Sequence, residues 1–95
     1  MKLRFTPLAV ENITAIAEYV RSHNPTAIRR VRAAIYDCLQ SVLLFPRAGR
    51  RQKTEGVYKI VTRKYAYVIY YTIDGDEIAI LSVRHFARQR LHEDI

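Results

Sequence analysis

Apolar residues recur every three or four positions in the first half of the chain and at alternate positions in the second half. The two helical stripes are Ala9, Ile13, Ile16, Ala17 and Val20, then Ile28, Val31, Ile35, Cys38, Leu39 and Val42. Such spacing is typical of helices with one buried face. Thr6-Pro7 and Asn24-Pro25 each supply an N-cap residue followed by proline at the first helical position. A short connector between the stripes predicts an antiparallel helical hairpin.

Strands are predicted on both sides of this hairpin, at Lys2–Phe5 and at residues 57–62, 65–73 and 76–84. The dipeptide Asp74-Gly75 separates the last two apolar runs, and Asp-Gly is typical of type I′ hairpin turns, which need positive φ at both central residues. The pattern therefore predicts an α+β fold. Its parts are an N-terminal strand, an antiparallel helical hairpin, and a three-stranded antiparallel meander that forms one sheet with the first strand.

The Asp74-Gly75 turn also predicts which side chains share a face of the sheet, because successive side chains alternate. If Ile73 faces Asp76, one face carries Tyr65, Tyr67, Ile69, Tyr71, Ile78, Ile80 and Arg84, and the other carries Ala66, Val68, Tyr70, Ala79, Leu81 and Val83. We predict that the second face packs against the helices. The predicted core is then Ile16, Val20, Ile28, Val31, Ile35, Leu39, Val68, Leu81 and Val83. The aromatic face that carries Arg84 is left for a partner.

Length, charge and cysteine content indicate the number of domains, the kind of partner and the compartment. The chain has 95 residues, of which 49% are hydrophobic, and this favours one compact domain over residues 1–95 with a basic tail at 86–95. Sixteen Lys and Arg against nine Asp and Glu give a net charge of +7, which suits an anionic partner or simply aids solubility. A single cysteine, Cys38, lies in a helical stripe and predicts a buried thiol in a reducing compartment. With no apolar run long enough for a signal peptide or membrane span, we expect a cytoplasmic protein without membrane association.

Standard catalytic motifs are missing from the sequence, so we expect neither a metal nor a cofactor. His85 follows the last predicted strand between Arg84 and Arg88, where an imidazole could act as acid or base in phosphodiester transfer while arginines hold the phosphate. A structural role for His85 at the sheet edge is the alternative. Tyr65 and Tyr67 are expected on the face of Arg84, near Lys59 and Arg63. Aromatics among cations could stack bases or anchor a protein segment.

The chain resembles the ParE/RelE superfamily of type II toxin–antitoxin toxins over nearly its whole length. The resemblance rests on Thr6-Pro7-Leu8-Ala9, residues 16–20, Phe45-Pro46-Arg47-Ala48-Gly49-Arg50, residues 67–77 and residues 80–88, in this order and at this spacing. It implies a toxin neutralised by an acidic antitoxin, whose C-terminal segment wraps the toxin in a heterotetramer or larger complex. It also implies the strand, helical hairpin and three-stranded arrangement predicted above.

The superfamily implies two activities. RelE-like members are implied to cleave messenger RNA on ribosomes with Lys and Arg side chains and a tyrosine or histidine, a role that would fall here to Lys59, Arg63, Arg84 and His85. ParE-like members are implied to poison DNA gyrase without being enzymes. Tyr67 stands where an arginine is expected in the RelE pattern, and Tyr70-Tyr71 before the turn and Val83-Arg84-His85 after it look more like ParE.

We therefore favour a gyrase poison over a ribonuclease, and a plain nucleic-acid-binding module is the third hypothesis. The candidate target- or antitoxin-binding residues are Lys59, Arg63, Tyr65, Tyr67, Arg84, His85 and Arg88.

Overall fold

A computed structural model describes the backbone of residues 1–89 and the side chains of residues 1–87. Its elements are β1 (Lys2–Phe5), α1 (Pro7–His23), α2 (Ile28–Leu44), β2 (Arg50–Arg51), β3 (Val57–Val61), β4 (Tyr67–Asp74), β5 (Glu77–His85) and α3 (Phe86–Gln89). Short 3-10 turns at Pro25–Ala27 and Pro46–Ala48 precede α2 and β2. The predicted α+β fold with a helical hairpin and an antiparallel meander is confirmed. The predicted tail begins as α3, and its remainder, residues 90–95, lies outside the described residues.

The five strands form one mixed sheet in the order β1-β5-β4-β3-β2. β1 pairs in parallel with β5, because the chain crosses over through α1 and α2 before it returns to the sheet, whereas the other neighbours are antiparallel. β2 lies in the connector between α2 and β3. Its two residues pair with β3, Arg50 opposite Lys59 and Arg51 opposite Tyr58.

One of the two predicted helix starts is confirmed, and the other opens a 3-10 turn instead of an α-helix. Thr6 is the N-cap of α1, since its hydroxyl accepts a hydrogen bond from the Ala9 N–H at 3.2 Å, and Pro7 opens the helix as predicted. Asn24-Pro25 instead opens the 3-10 turn, and α2 begins at Ile28 without a side-chain cap. The Asn24 N–H donates to the Val20 carbonyl at 2.7 Å and so closes α1.

The β4–β5 turn lies one residue later than predicted. Asp74 pairs with Glu77 and Ile73 with Ile78, so the two-residue loop is Gly75-Asp76. Gly75 has φ of 62°, whereas Asp76 does not have positive φ. A type I′ turn centred on Asp74-Gly75 is therefore wrong. Positive φ at the first loop residue alone is the requirement of a type II′ turn, which favours glycine there.

A bulge in β5 reverses the phase of its side chains. Tyr71 pairs with Ile80 but Tyr70 pairs with Ser82, which leaves Leu81 as the extra residue. Two side chains from the start of α1 bond to the bulged backbone. Thr6 donates its hydroxyl to the Leu81 carbonyl at 3.0 Å, and the Asn12 carbonyl oxygen accepts from the Val83 N–H at 3.0 Å. As a result, Val83 points to the same side as Ile80.

The face of the sheet that meets the helices is the one expected to meet a partner. The sheet residues of the core are Tyr58, Tyr67, Ile69, Tyr71, Ile78, Ile80 and Val83. Of the predicted core, Ile16, Val20, Val31, Ile35, Leu39 and Val83 are confirmed, and Ile28 packs against it half-buried. Val68 is buried on the opposite face, and Leu81 is half-buried at the bulge. The prediction that Val68 and Leu81 pack on the helices is wrong, because both faces of β4 are apolar and the bulge changes the phase of β5.

Candidate functional site

Two of the predicted site residues lie on the sheet face away from the helices, which we call the outer face and define by Lys59, Val68, Tyr70, Ser82 and Arg84. Lys59 is next to Tyr70 and Arg84 is next to Val68 in the register. The Nε atom of Arg84 is buried and has no hydrogen-bond partner among the described residues. Because an arginine donor is costly to bury unpaired, Arg84 is suited to bind an anionic or carbonyl oxygen.

Tyr67 and His85 lie on the other side of the sheet, towards the core. They are opposite each other in the register, and their rings meet edge to face with centroids 5.3 Å apart. Tyr67 is 3% exposed. The Nδ1 atom of His85 accepts the Ala87 N–H at 3.1 Å. The prediction that Lys59, Arg63, Tyr67 and Arg84 share one face is therefore wrong, since alternation after the bulge separates Tyr67 from Arg84.

Arg63 and Tyr65 lie in the four-residue turn 63–66 between β3 and β4. Thr62 closes this turn, because its hydroxyl donates to the Lys64 carbonyl at 2.6 Å and accepts from the Tyr67 N–H at 3.0 Å. Tyr65 and Ala66 have φ of 67° and 50°. This left-handed conformation costs roughly 1–2 kcal/mol for each non-glycine residue. The turn thus places Arg63, Lys64 and Tyr65 at the surface, and its strained residues are Tyr65 and Ala66.

A groove of about 820 Å³ lies between α2 and the end of β3. The α2 wall consists of Arg30, Ala33, Ala34, Asp37, Cys38 and Ser41, and the opposite wall consists of Ile60, Val61, Arg63, Lys64 and Tyr65. Most of its lining residues are small or apolar, and its charged residues are three cations and one carboxylate. Only Arg63 and Tyr65 are candidates from the sequence, because the groove joins two elements about thirty positions apart that no local pattern connects.

Cys38 lines this groove but is not a nucleophile. Burial raises the pKa of its thiol above the ordinary value of 9.0, so the thiol stays protonated at neutral pH. Small side chains at Ala33, Ala34 and Cys38 keep the α2 wall shallow, which makes room for a further segment of chain.

A tyrosine beneath β2 anchors the far end of the sheet to the end of α2. The Tyr71 hydroxyl donates to the Pro46 carbonyl at 2.7 Å and accepts the Gly49 N–H at 3.0 Å. A Cβ on Gly49 would lie 2.6 Å from this hydroxyl, so no larger residue fits without a shift. Arg47 donates to the Tyr58 hydroxyl in a long bond of 3.4 Å. These contacts hold the connector after α2 against the core and position β2 at the sheet edge.

The described part of the chain contains neither a metal-binding cluster nor a membrane-spanning helix. Within residues 1–89, His, Cys, Asp and Glu form no cluster of three that could hold a metal ion. The helices described here are too short or too polar to cross a bilayer. Arg88, the remaining predicted site residue, belongs to α3, but its side chain lies outside the described residues.

The fold is shared with toxins of type II toxin–antitoxin systems. The structure of the chromosomal ParDE system from P. aeruginosa matches with a TM-score of 0.77 at 20% identity, over 90% of this chain and 95% of that chain. The E. coli RelBE toxin–antitoxin complex matches with a TM-score of 0.57 at 22% identity, over 88% and 94%. The YoeB dimer from Staphylococcus aureus matches with a TM-score of 0.58 at 17% identity, over 90% and 95%.

Comparison with protein-family models identifies the family within this class of toxins. Residues 3–90 match the ParE toxin of type II toxin–antitoxin systems, parDE. Because the match spans almost the whole sequence, the chain belongs to the ParE toxin family. None of the curated proteins matches this sequence significantly.

Proposed function

We propose that this toxin inhibits DNA gyrase by binding it and that a cognate acidic antitoxin neutralises it in the cytoplasm. The family match and the structural similarity to a ParDE system support the choice of gyrase. The net charge of +7 supports an acidic antitoxin, because opposite charge speeds association and favours the correct partner. In this proposal the protein is not an enzyme, and its activity resides in a protein-binding surface.

One structural observation argues against a ribonuclease. The four residues that a nuclease would need do not converge. Lys59 and Arg84 lie on the outer face, His85 lies on the core side of the same strand as Arg84, and Arg63 lies in the turn that borders the groove. General acid–base catalysis needs the imidazole within hydrogen-bond reach of the group it protonates, beside the cations that hold the phosphate.

Purified gyrase provides the direct test. We expect the toxin to inhibit supercoiling of relaxed plasmid in proportion to its concentration, and not to cut transcripts on translating ribosomes in a parallel reaction. Transcript cleavage with unaffected supercoiling would favour the ribonuclease instead. In that case His85→Ala should abolish the cleavage, whereas in the gyrase reaction we expect His85→Ala to remain active if its thermal stability is unchanged.

The outer face is our candidate for the contact with the target. Lys59→Ala and Arg84→Ala should each weaken inhibition of supercoiling, because each removes a cation from this face without opening the core. Arg32→Ala is a suitable control, since Arg32 is exposed on α2 and does not line the groove. Equal inhibition by all three variants would place the target contact elsewhere.

A further inference from the structure

The positive charge of the protein is concentrated in one segment, residues 47–64. This segment contains seven of the sixteen Lys and Arg residues but only one of the nine Asp and Glu residues, Glu55, so it carries +6 of the net charge of +7. Its cations are Arg47, Arg50, Arg51, Lys53, Lys59, Arg63 and Lys64. All of them are exposed except Lys59, which is half-buried. Because the rest of the chain is nearly neutral, a contact with a polyanion should involve this segment.

The hairpin formed by β2 and β3 places cations on both faces of the sheet edge. β2 is the last strand in the order of the described strands, so its outer side has no strand beside it there. Arg50 is paired with Lys59, and both side chains point to the outer face. Arg51 is paired with Tyr58 and points to the core side, where Arg47 also lies, since it donates to the Tyr58 hydroxyl at 3.4 Å. Cations therefore flank β2 on both faces.

Hydrogen bonds fix the backbone of this hairpin at both ends of β2. The Gln52 N–H donates to the Val57 carbonyl at 2.9 Å, and the Gln52 side-chain amide donates to the Arg50 carbonyl at 2.8 Å. Before β2, the Gly49 N–H donates to the buried Tyr71 hydroxyl at 3.0 Å. Since the backbone that carries the cations is already ordered, binding a partner there costs less conformational entropy.

The surface of the hairpin is polar throughout. Residues 50–56 are all charged, polar or glycine, and none of the large exposed apolar side chains lies between Phe45 and Val61 in the sequence. Among the described residues the one ion pair joins Arg4 to Glu77, so the hairpin cations have no carboxylate partner there. Protein–protein interfaces have an apolar or aromatic centre, whereas protein–DNA interfaces are more polar and much more positively charged. The hairpin therefore suits a nucleic acid better than an acidic protein.

The position of the cations on two faces favours double-stranded DNA among the nucleic acids. The major groove of DNA is about 12 Å wide and admits a two-stranded β-ribbon, with a phosphate backbone along each wall. If β2 enters such a groove edge-on, Arg50 faces one backbone and Arg51 faces the other. A single strand offers only one backbone, and the major groove of double-stranded RNA is too narrow for such an element.

We propose that the β2 edge of this toxin binds duplex DNA through its phosphate backbones. Arg50 contacts the phosphates on one side of the groove, Arg47 and Arg51 contact those on the other, and Lys53 extends the contact at the turn after β2. Because these contacts are to phosphates, binding does not depend on the base sequence. The proposal goes beyond the proposed function and does not depend on gyrase as the target.

Fluorescence anisotropy with a labelled short DNA duplex of mixed sequence tests the proposal. With four phosphate contacts, a plot of the logarithm of the binding constant against the logarithm of the salt concentration should have a slope of about −3 to −4. A second duplex of different sequence should bind within about twofold of the first. A DNA single strand and an RNA duplex of the same length should each bind at least about fivefold more weakly.

Two matched double variants remove the same charge from different surfaces. Arg50→Gln combined with Arg51→Gln should reduce the magnitude of the slope by about two. Arg29→Gln combined with Arg32→Gln removes two exposed cations near the start of α2, about 20 Å along the helix from the end that leads to β2, and should leave the slope nearly unchanged. Lys53→Gln lies outside the strand, so it tests the proposal without disturbing β2, and it should reduce the magnitude by about one. Urea denaturation checks that each variant is folded.

Several results would overturn the proposal. They are no binding to the duplex at low salt, equally tight binding of the single strand or the RNA duplex, and equal effects of the two double variants, which would indicate attraction to net charge alone. Competition by polyglutamate as effective as that by unlabelled duplex, at equal charge concentration, would assign the edge to an acidic protein instead. The supercoiling assay separates the two proposals. DNA binding without inhibition of supercoiling would refute only the gyrase assignment, whereas inhibition by a toxin that does not bind DNA would refute only the assignment of the β2 edge.

Discussion

Replacement of Tyr71 by phenylalanine should destabilise the fold more than the loss of one oxygen atom suggests. The side chain is fully buried, and its hydroxyl serves both the Pro46 carbonyl and the Gly49 N–H. A buried polar group that loses its partner costs about 1–3 kcal/mol. Tyr71→Phe leaves one carbonyl and one N–H to find new partners at a partly buried site. We therefore expect the free energy of unfolding to fall by about 2–3 kcal/mol.

The adjacent tyrosine provides a matched control. The ring of Tyr58 stacks on that of Tyr71 with centroids 5.4 Å apart, and Tyr58 is 7% exposed. Its hydroxyl receives only the long 3.4 Å bond from Arg47. Both Tyr→Phe changes keep the stacked rings, so their difference isolates the hydroxyl contacts. Tyr58→Phe should cost less than about 1 kcal/mol, because hydrogen bonds weaken with length.

Urea denaturation at neutral pH measures both variants, and thermal unfolding checks the result. In a domain of this size, about 1 kcal/mol shifts Tm by about 4–8 °C, so Tyr71→Phe should lower Tm by about 10–20 °C. The m-values should stay unchanged, since the same surface is exposed on unfolding. A loss for Tyr71→Phe no larger than that for Tyr58→Phe would refute the argument that the hydroxyl anchors the connector.

Further predictions concern the same fold. Burial raises the pKa of Tyr71 above its ordinary value of 10.0, so the folded state holds the phenolic proton to higher pH than the unfolded state does. The stability that the protonated hydroxyl contributes is present below pH 10 and is lost as the pH rises through the folded-state pKa. Tyr71→Phe should flatten that alkaline loss in urea titrations, and an unchanged slope would contradict it. Ala66→Gly relieves positive φ and should stabilise by about 0.5–1 kcal/mol, whereas Ala48→Gly, without positive φ, should destabilise; equal effects in thermal scans would argue against strain in the turn. Ile80→Ala should cost about 2–5 kcal/mol and the half-buried Leu81→Ala less than half as much, and the reverse order by chemical denaturation would contradict the bulge.

Local chemistry in the sequence determined much of the fold. The stripes from Ala9 to Val20 and from Ile28 to Val42 follow helical periodicity, and both segments are helices whose stripe residues are mostly buried. Thr6-Pro7 starts α1 because a hydroxyl cap and a fixed proline φ act within a few residues of chain. The α+β class and the family resemblance follow from the order of such elements, which is a property of the sequence.

The register and the faces of the sheet depend on contacts between distant residues. The bulge at Leu81 is held by Thr6, 75 positions before its partner Leu81, and by Asn12, 71 positions before its partner Val83. Nothing near Leu81 in the sequence predicts the bulge. Both sides of β4 are apolar, so alternation alone does not decide which side meets the helices.

The positions of the candidate site residues likewise depend on contacts between distant parts of the chain. The bulge and the register put Tyr67 and Arg84 on opposite faces of the sheet, although alternation from the predicted turn places both candidates on one face. Cys38 and Val61 line one groove only because α2 packs beside the end of β3. Side-chain periodicity determines which residues a helix or strand can bury. Only the packing of these elements against one another determines which residues come into contact, because such contacts join residues that are far apart in the sequence and leave no local pattern in it.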